Sequence, residues 1–364
     1  MESQLIINFL EELAPPSLQE SYDNSGWIVK LGKTCNKALI SLDCTPEVIE
    51  EARQLGCDLV IAHHPILFKG MKRLTEEHYT EIAIIQAIRS NISLYAIHTN
   101  LDNVLHNGIN QALAQRIGLE NLRILRPMKG HLCKLVIYSP KKETEQVERA
   151  MFEAGAGQIG NYSECSFLTN GTGSFTPNSL ANPHSGNANQ RSIVNENKIE
   201  VLVESWKLNQ VLQAAKNAHP YEEVAYDVIQ LENIHQEVGS GLLGSFTSPV
   251  PVQDFLARLK EVLSAQHLKF TAPTKSSIQH LALCGGAGSF LLNDAIRAGA
   301  DAFLTADLKY HEYFDALGKL MCIDAGHYET EHHVAEHLSS LLKEKFPNFA
   351  TLISQVNTNP VNYY

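Results

Sequence analysis

The sequence is short of positive charge: 29 lysines and arginines face 40 aspartates and glutamates, a formal net charge of −11 over 364 residues. A surface of that sign repels phosphate backbones, which argues against nucleic acid as a partner. Also missing is any run of the roughly 18 to 20 apolar residues that would cross a bilayer, so no membrane partner is expected. The opening MESQLIINFLEELAPP carries acids and no basic region ahead of its apolar residues, which predicts a cytoplasmic chain without a secretory leader. The seven cysteines are odd in number and form no C-x-x-C pair. A disulfide framework, a zinc ribbon and a thioredoxin motif are therefore disfavoured, and the thiols read as reduced, mostly buried side chains.

What is present is ordinary globular material, 44% hydrophobic and long enough for two or three domains at roughly 100 to 200 residues each. Up to about residue 126 the rhythm is α/β. LIINFLEEL has helical spacing, KALISL reads as a strand, and Thr45-Pro46-Glu47 opens a helix that Gly56 closes. CDLVIA is a continuous apolar run, as expected of a strand covered on both faces, and implies a mostly parallel sheet. From Lys129 the order becomes βαββαβ, the ferredoxin-like pattern, with a long exposed loop at 170–192 where Gly, Asn, Ser and Pro dominate. The α/β rhythm then resumes. The fold class is thus α/β, a mostly parallel-sheet domain built from 1–127 and 236–364 and interrupted by an inserted module at 128–235. A faint repeat aligns Gly56-Cys57-Asp58 with Gly299-Ala300-Asp301 and sets His64 opposite Asp307, suggesting duplicated halves.

Ligands of open parallel sheets gather beyond the carboxyl ends of the strands, and here every such end is ionisable. KALISL runs into Asp43, CDLVIA into His63 and His64, SLYAI into His98 with Asp102 four residues on. DAFLTA runs into Asp307, then Lys309 and His311; KLMCI runs into Asp324, then His327 and Glu331. Histidines mixed with carboxylates form the usual donor set for zinc, manganese or iron. Adjacent side chains of extended backbone point to opposite sides, so His63 and His64 suit two ions better than one; the competing reading is a single hydrogen bond per ring at a strand end. Glu331 falls on the apolar face of the last helix, where a bound cation would offset its burial, although an acid in a first helical turn also has the helix dipole as a reason. Asp102 could equally serve an Asx turn, and His98 is either a ligand or the orienter of one. His332, His333 and His337 fall off the apolar face and read as solvated. The glycines of CGGAGSF favour tight packing over an anion cradle.

YDNSGW, LDCTPEVIEEA, IAHHPILF, HTNLD, LTADLKYHE and DAGHYETE together resemble the NGG-one-interacting-factor-three family, also called GTP cyclohydrolase 1 type 2 homologues; HPYEEVAYDV at 219–228 resembles the PII/CutA-like insert of its longer bacterial members. The resemblance implies a dinuclear centre of two divalent metal ions (zinc, iron or manganese) on His63, His64, Asp102, His327 and Glu331, with His98 nearby; the strand-end reading adds Asp43 and Asp307 as residues near it. It also implies a toroidal homo-hexamer whose inserts cap the openings. The expected function is a metal-dependent hydrolase opening the ring of a purine nucleotide such as GTP, with Lys309 or His311 as catalytic groups for charge or protons. The alternative is a non-catalytic metal-handling or regulatory assembly whose insert binds a small effector.

Overall fold

The computed structural model describes residues 1–364, which divide into two compact units: residues 1–127 with 237–364, and residues 128–236. All seven cysteines are free and six are buried.

The larger unit contains two sheets, where the sequence reading expected one. The first has five strands in the order Gly26–Val29, Ser93–Ala96, Leu59–Ala62, Lys37–Ser41, Ala350–Ile353. All but Gly26–Val29 run parallel. Each residue of Leu59–Ala62 is buried, as its unbroken apolar run requires of a strand covered on both faces. The helix before it, Pro46–Gln54, begins with the Thr45 side chain accepting from the Val48 N–H and ends at Gly56, whose φ of 65° suits glycine.

The second sheet has six strands in the order Lys269–Phe270, Met321–Asp324, Ala302–Ala306, Ser277–Ala287, Ile234–Pro251, Glu120–Lys129. Its three middle members Met321–Asp324, Ala302–Ala306 and Ser277–Ala287 are parallel, and antiparallel neighbours flank them. The molecule is therefore mixed α/β with several sheets. The long strand Ile234–Pro251 is hard to read in sequence because glycine, serine and proline interrupt its apolar residues. In both sheets an antiparallel edge strand is followed by parallel strands, four in the first and three in the second, and Leu59–Ala62 and Ala302–Ala306 are each the second of these. The short sequence repeat thus has a topological counterpart.

The smaller unit holds four antiparallel strands in the order Ser166–Phe175, Ser192–Glu204, Leu132–Pro140, Tyr226–Gln230. Its core joins Leu135, Ile137, Ile199 and Val201 of the sheet to Val147 and Met151 of helix Thr144–Glu153 and Val211 of helix Leu208–Ala218. The loop expected over 170–192 is shorter, because Asn170–Phe175 pairs with Ser192–Asn197 as a continuation of the hairpin. Those residues bury little side-chain surface, so backbone hydrogen bonding rather than apolar alternation makes the strand.

Candidate metal centre

Two short helices and one strand end build the centre. His98 precedes the single turn Thr99–Asp102, and His327 begins His327–Glu331, so each turn sets a histidine and an acid four residues apart on one face. The two turns follow the topologically equivalent strands Ser93–Ala96 and Met321–Asp324 of the two sheets. His63 and His64 follow Leu59–Ala62 of the first sheet, and Asp307 follows its counterpart Ala302–Ala306 of the second. Asp307 has φ 56°, a left-handed conformation that aspartate tolerates better than most side chains.

Each of four imidazoles is held at Nδ1 by an oxygen. His63, fully buried, is 2.7 Å from the Ile97 carbonyl; His64 is 2.7 Å from Asp43 Oδ1; His98 is 2.8 Å from Asp23 Oδ1; His327 is 2.7 Å from Asp307 Oδ2. Such partners fix the tautomer and leave Nε2 as a lone-pair donor. The Nε2 atoms of His64 and His327 lie 2.9 and 3.0 Å from the same oxygen, Glu331 Oε2. His63 Nε2 lies 3.5 Å from Asp102 Oδ1, and these two enclosed atoms have no hydrogen-bond partner.

Lone pairs facing carboxylate oxygens repel unless a cation stands between them. With protons as the only cations, burial disfavours the charged ring of His64, yet Asp43 and Glu331 raise its pKa to about 10. His327, also opposed by burial, rises to about 9 through Glu331 and Asp307. Burial carries the Asp102 carboxyl well above its usual range, with Glu331 adding to it, and lowers His63 to about 3. Glu331, against its burial, is held well below the carboxylate range by His327 and His64. The donors form two groups, His63–His64–His98 and His64–His327–Glu331, each with ligand atoms within 4.8 Å of one another. These residues fit a metal: a divalent ion would replace the protons and satisfy the two orphaned atoms.

Of the residues singled out in the sequence, the structure brings together His63, His64, His98, Asp102, His327 and Glu331, with Asp43 and Asp307 behind them. Lys309 and His311 are exposed and lie outside the lining of the cavity at the centre. His333 is buried rather than solvated, 2% exposed with Nε2 3.4 Å from the Ile109 carbonyl, because helix Ile109–Ile117 packs beside it. Asp23 was not singled out; it precedes a strand instead of ending one, and only its place in the YDNSGW turn marks it. Gly286 makes room for the centre, since a Cβ there would lie 2.4 Å from Glu331 Oε1. A cavity of about 1300 Å³ opens over the site, with Phe68, Tyr79 and Phe290 among its walls.

The model of the Duf34/NIF3 (NGG1p interacting factor 3) family matches residues 1–360. The chain belongs to that family. Two relatives, each named GTP cyclohydrolase 1 type 2 homolog, come from Halalkalibacterium halodurans and Bacillus subtilis. The first is 36% identical over 99% of this chain and 98% of its own length; the second is 33% identical over 100% and 99%. A solved Bacillus cereus protein related to NIF3 superposes with a TM-score of 0.87 at 33% identity, covering 100% of this chain and 99% of its own. No helix is long and apolar enough to cross a membrane.

Proposed function

We propose that this NIF3-family chain carries a dinuclear metal centre and acts as a metal-dependent hydrolase on a nucleotide or related N-heterocycle. One observation carries the reading: four imidazoles, each fixed at Nδ1 by an oxygen, gather at one site, and two of them set Nε2 2.9 and 3.0 Å from the same oxygen of a buried glutamate. The ligands are His63, His64, Asp102, His327 and Glu331, with His98 completing the first group. Two divalent ions would supply an activated water at neutral pH and polarise the group it attacks. Glu331, whose Oε2 is 2.9 Å from His64 Nε2 and 3.0 Å from His327 Nε2, would serve both ions, and Asp43, Asp23 and Asp307 hold the rings in their donor tautomer.

The proposal extends to the rest of the chain. The strand order of the insert, with a helix between its first and second strands and another between its third and fourth, is ferredoxin-like and supports a PII/CutA-like effector module. A toroidal homo-hexamer in the cytoplasm belongs to the same reading. A second reading, a metal-handling or regulatory assembly, draws on one observation: Lys309 and His311, the groups expected to move charge or protons, stand outside the cavity lining.

Elemental analysis after gel filtration tests the centre, with Glu331→Ala beside the wild type. About two ions per chain in the wild type, and about one or none in the variant, is the expected outcome. Metal-loaded protein should then hydrolyse a nucleotide or N-heterocycle in a screen that Glu331→Ala fails; metal without any turnover favours the second reading.

A further inference from the structure

The cavity over the metal centre is lined by carboxylates well beyond those that face histidines. Asp43, Asp102, Asp307 and Glu331 belong to the centre, but Glu20, Glu47, Asp324 and Glu329 also line the cavity, against Lys269 as the one lysine and no arginine. Lys269 is already 3.4 Å from Asp324. With two divalent ions in place the lining still carries a net charge of about −3, and a low-dielectric cleft focuses that field.

Glu329 is the most informative of these groups. It is 7% exposed, so little water reaches it, yet its donors are neutral: the Asn359 amide at 3.3 Å and the Tyr363 hydroxyl at 3.4 Å, both on Oε1. No cation lies within ion-pairing distance of it. A buried carboxylate without a cationic partner is costly, and on a cavity wall the missing partner can come from a ligand. The half-exposed rings of Phe68 and Phe290 on the same cavity provide flat apolar surface for a planar ligand.

Resting on the hydrolase reading above, we infer that the cavity takes a planar nitrogen heterocycle without a phosphate chain, and that Glu329 receives its amino or ammonium group. A nucleoside triphosphate would bring about four negative charges into a lining that is already negative, whereas a neutral or cationic ring system would meet no such barrier. Glu329 is thereby a specificity-determining residue distinct from the metal ligands.

The test is equilibrium binding to metal-loaded protein, after unbound metal has been dialysed away, with guanosine, the cationic 7-methylguanosine and GTP as probes. Guanosine and 7-methylguanosine should bind at least about tenfold more tightly than GTP. Glu329→Gln keeps the shape and removes the charge; it should weaken 7-methylguanosine about tenfold or more, leave GTP no weaker, and retain the wild-type metal content. GTP binding as tightly as guanosine, an unchanged 7-methylguanosine affinity in Glu329→Gln, or no binding of any probe would overturn the inference. Metal content, read on the same samples, separates this failure from failure of the metal centre itself.

Discussion

At the residue scale, histidine chemistry here depends on what holds the second nitrogen. His219 in the insert illustrates the point away from the metal centre. Its Nε2–H donates to the Tyr138 carbonyl at 2.9 Å and its Nδ1 accepts the Tyr221 N–H at 3.1 Å, so the ring is pinned in one neutral tautomer. Burial lowers its pKa from the ordinary value of 6.5, only partly opposed by the Tyr138 carbonyl. A proton on Nδ1 would break the Tyr221 bond, so the unfolded state binds protons first as the pH falls. The resulting stability is fully present above about pH 6.5 and is lost as the pH drops toward the lowered native value. We expect urea midpoints of the wild type to fall between pH 6.5 and 5 more steeply than those of His219→Gln; parallel curves would contradict the assignment. In the metal centre the same logic was legible only in part. The histidines stand out because each follows an apolar strand, and their spacing from Asp102 and Glu331 is visible. Asp23 and the Ile97 carbonyl are not, since what they do depends on a partner 75 or 34 residues away.

At the scale of elements, the parallel strands and their capped helices were readable because buried apolar runs and cap residues are local signals. Strands made by pairing rather than by pattern were not: Ile234–Pro251 is broken by glycine and proline, and the outer half of Ser166–Phe175 is polar and exposed. The segment 354–364 is another feature no local signal declared. It leaves the first sheet at Ile353, and Thr358 Oγ1 donates to Asp43 Oδ2 at 2.5 Å while Asp43 Oδ1 holds His64. Thr358 is accordingly a positioning residue that reaches His64 through one carboxylate. Thr358→Val, which keeps the shape and removes the donor, should lower metal affinity by about tenfold in competition with a chelator, and Thr358→Ser should restore it. Equal affinities in all three proteins would show that Asp43 is held well enough without the hydroxyl.

For the whole molecule, the sequence reading placed the ionisable strand ends on one edge, and they do converge, but from two sheets rather than one. The reason is topological. Each sheet presents parallel strands whose carboxyl ends carry residues of the site, and equivalent strands of the two deliver His98 with Asp102 and His327 with Glu331. A pairing of that kind cannot be read from strand signals alone, because spacing along the chain does not say which strands share a sheet. It also explains why His64 contacts Glu331 across 267 residues.

The most direct test of this arrangement is anomalous diffraction from crystals of metal-loaded protein, collected on both sides of the absorption edge of the bound ion. The account predicts peaks roughly 2.0–2.2 Å from the His64, His327 and Glu331 donor atoms and from the His63 and Asp102 donor atoms. Fully loaded crystals with no peak among these residues, or with peaks only elsewhere, would contradict it.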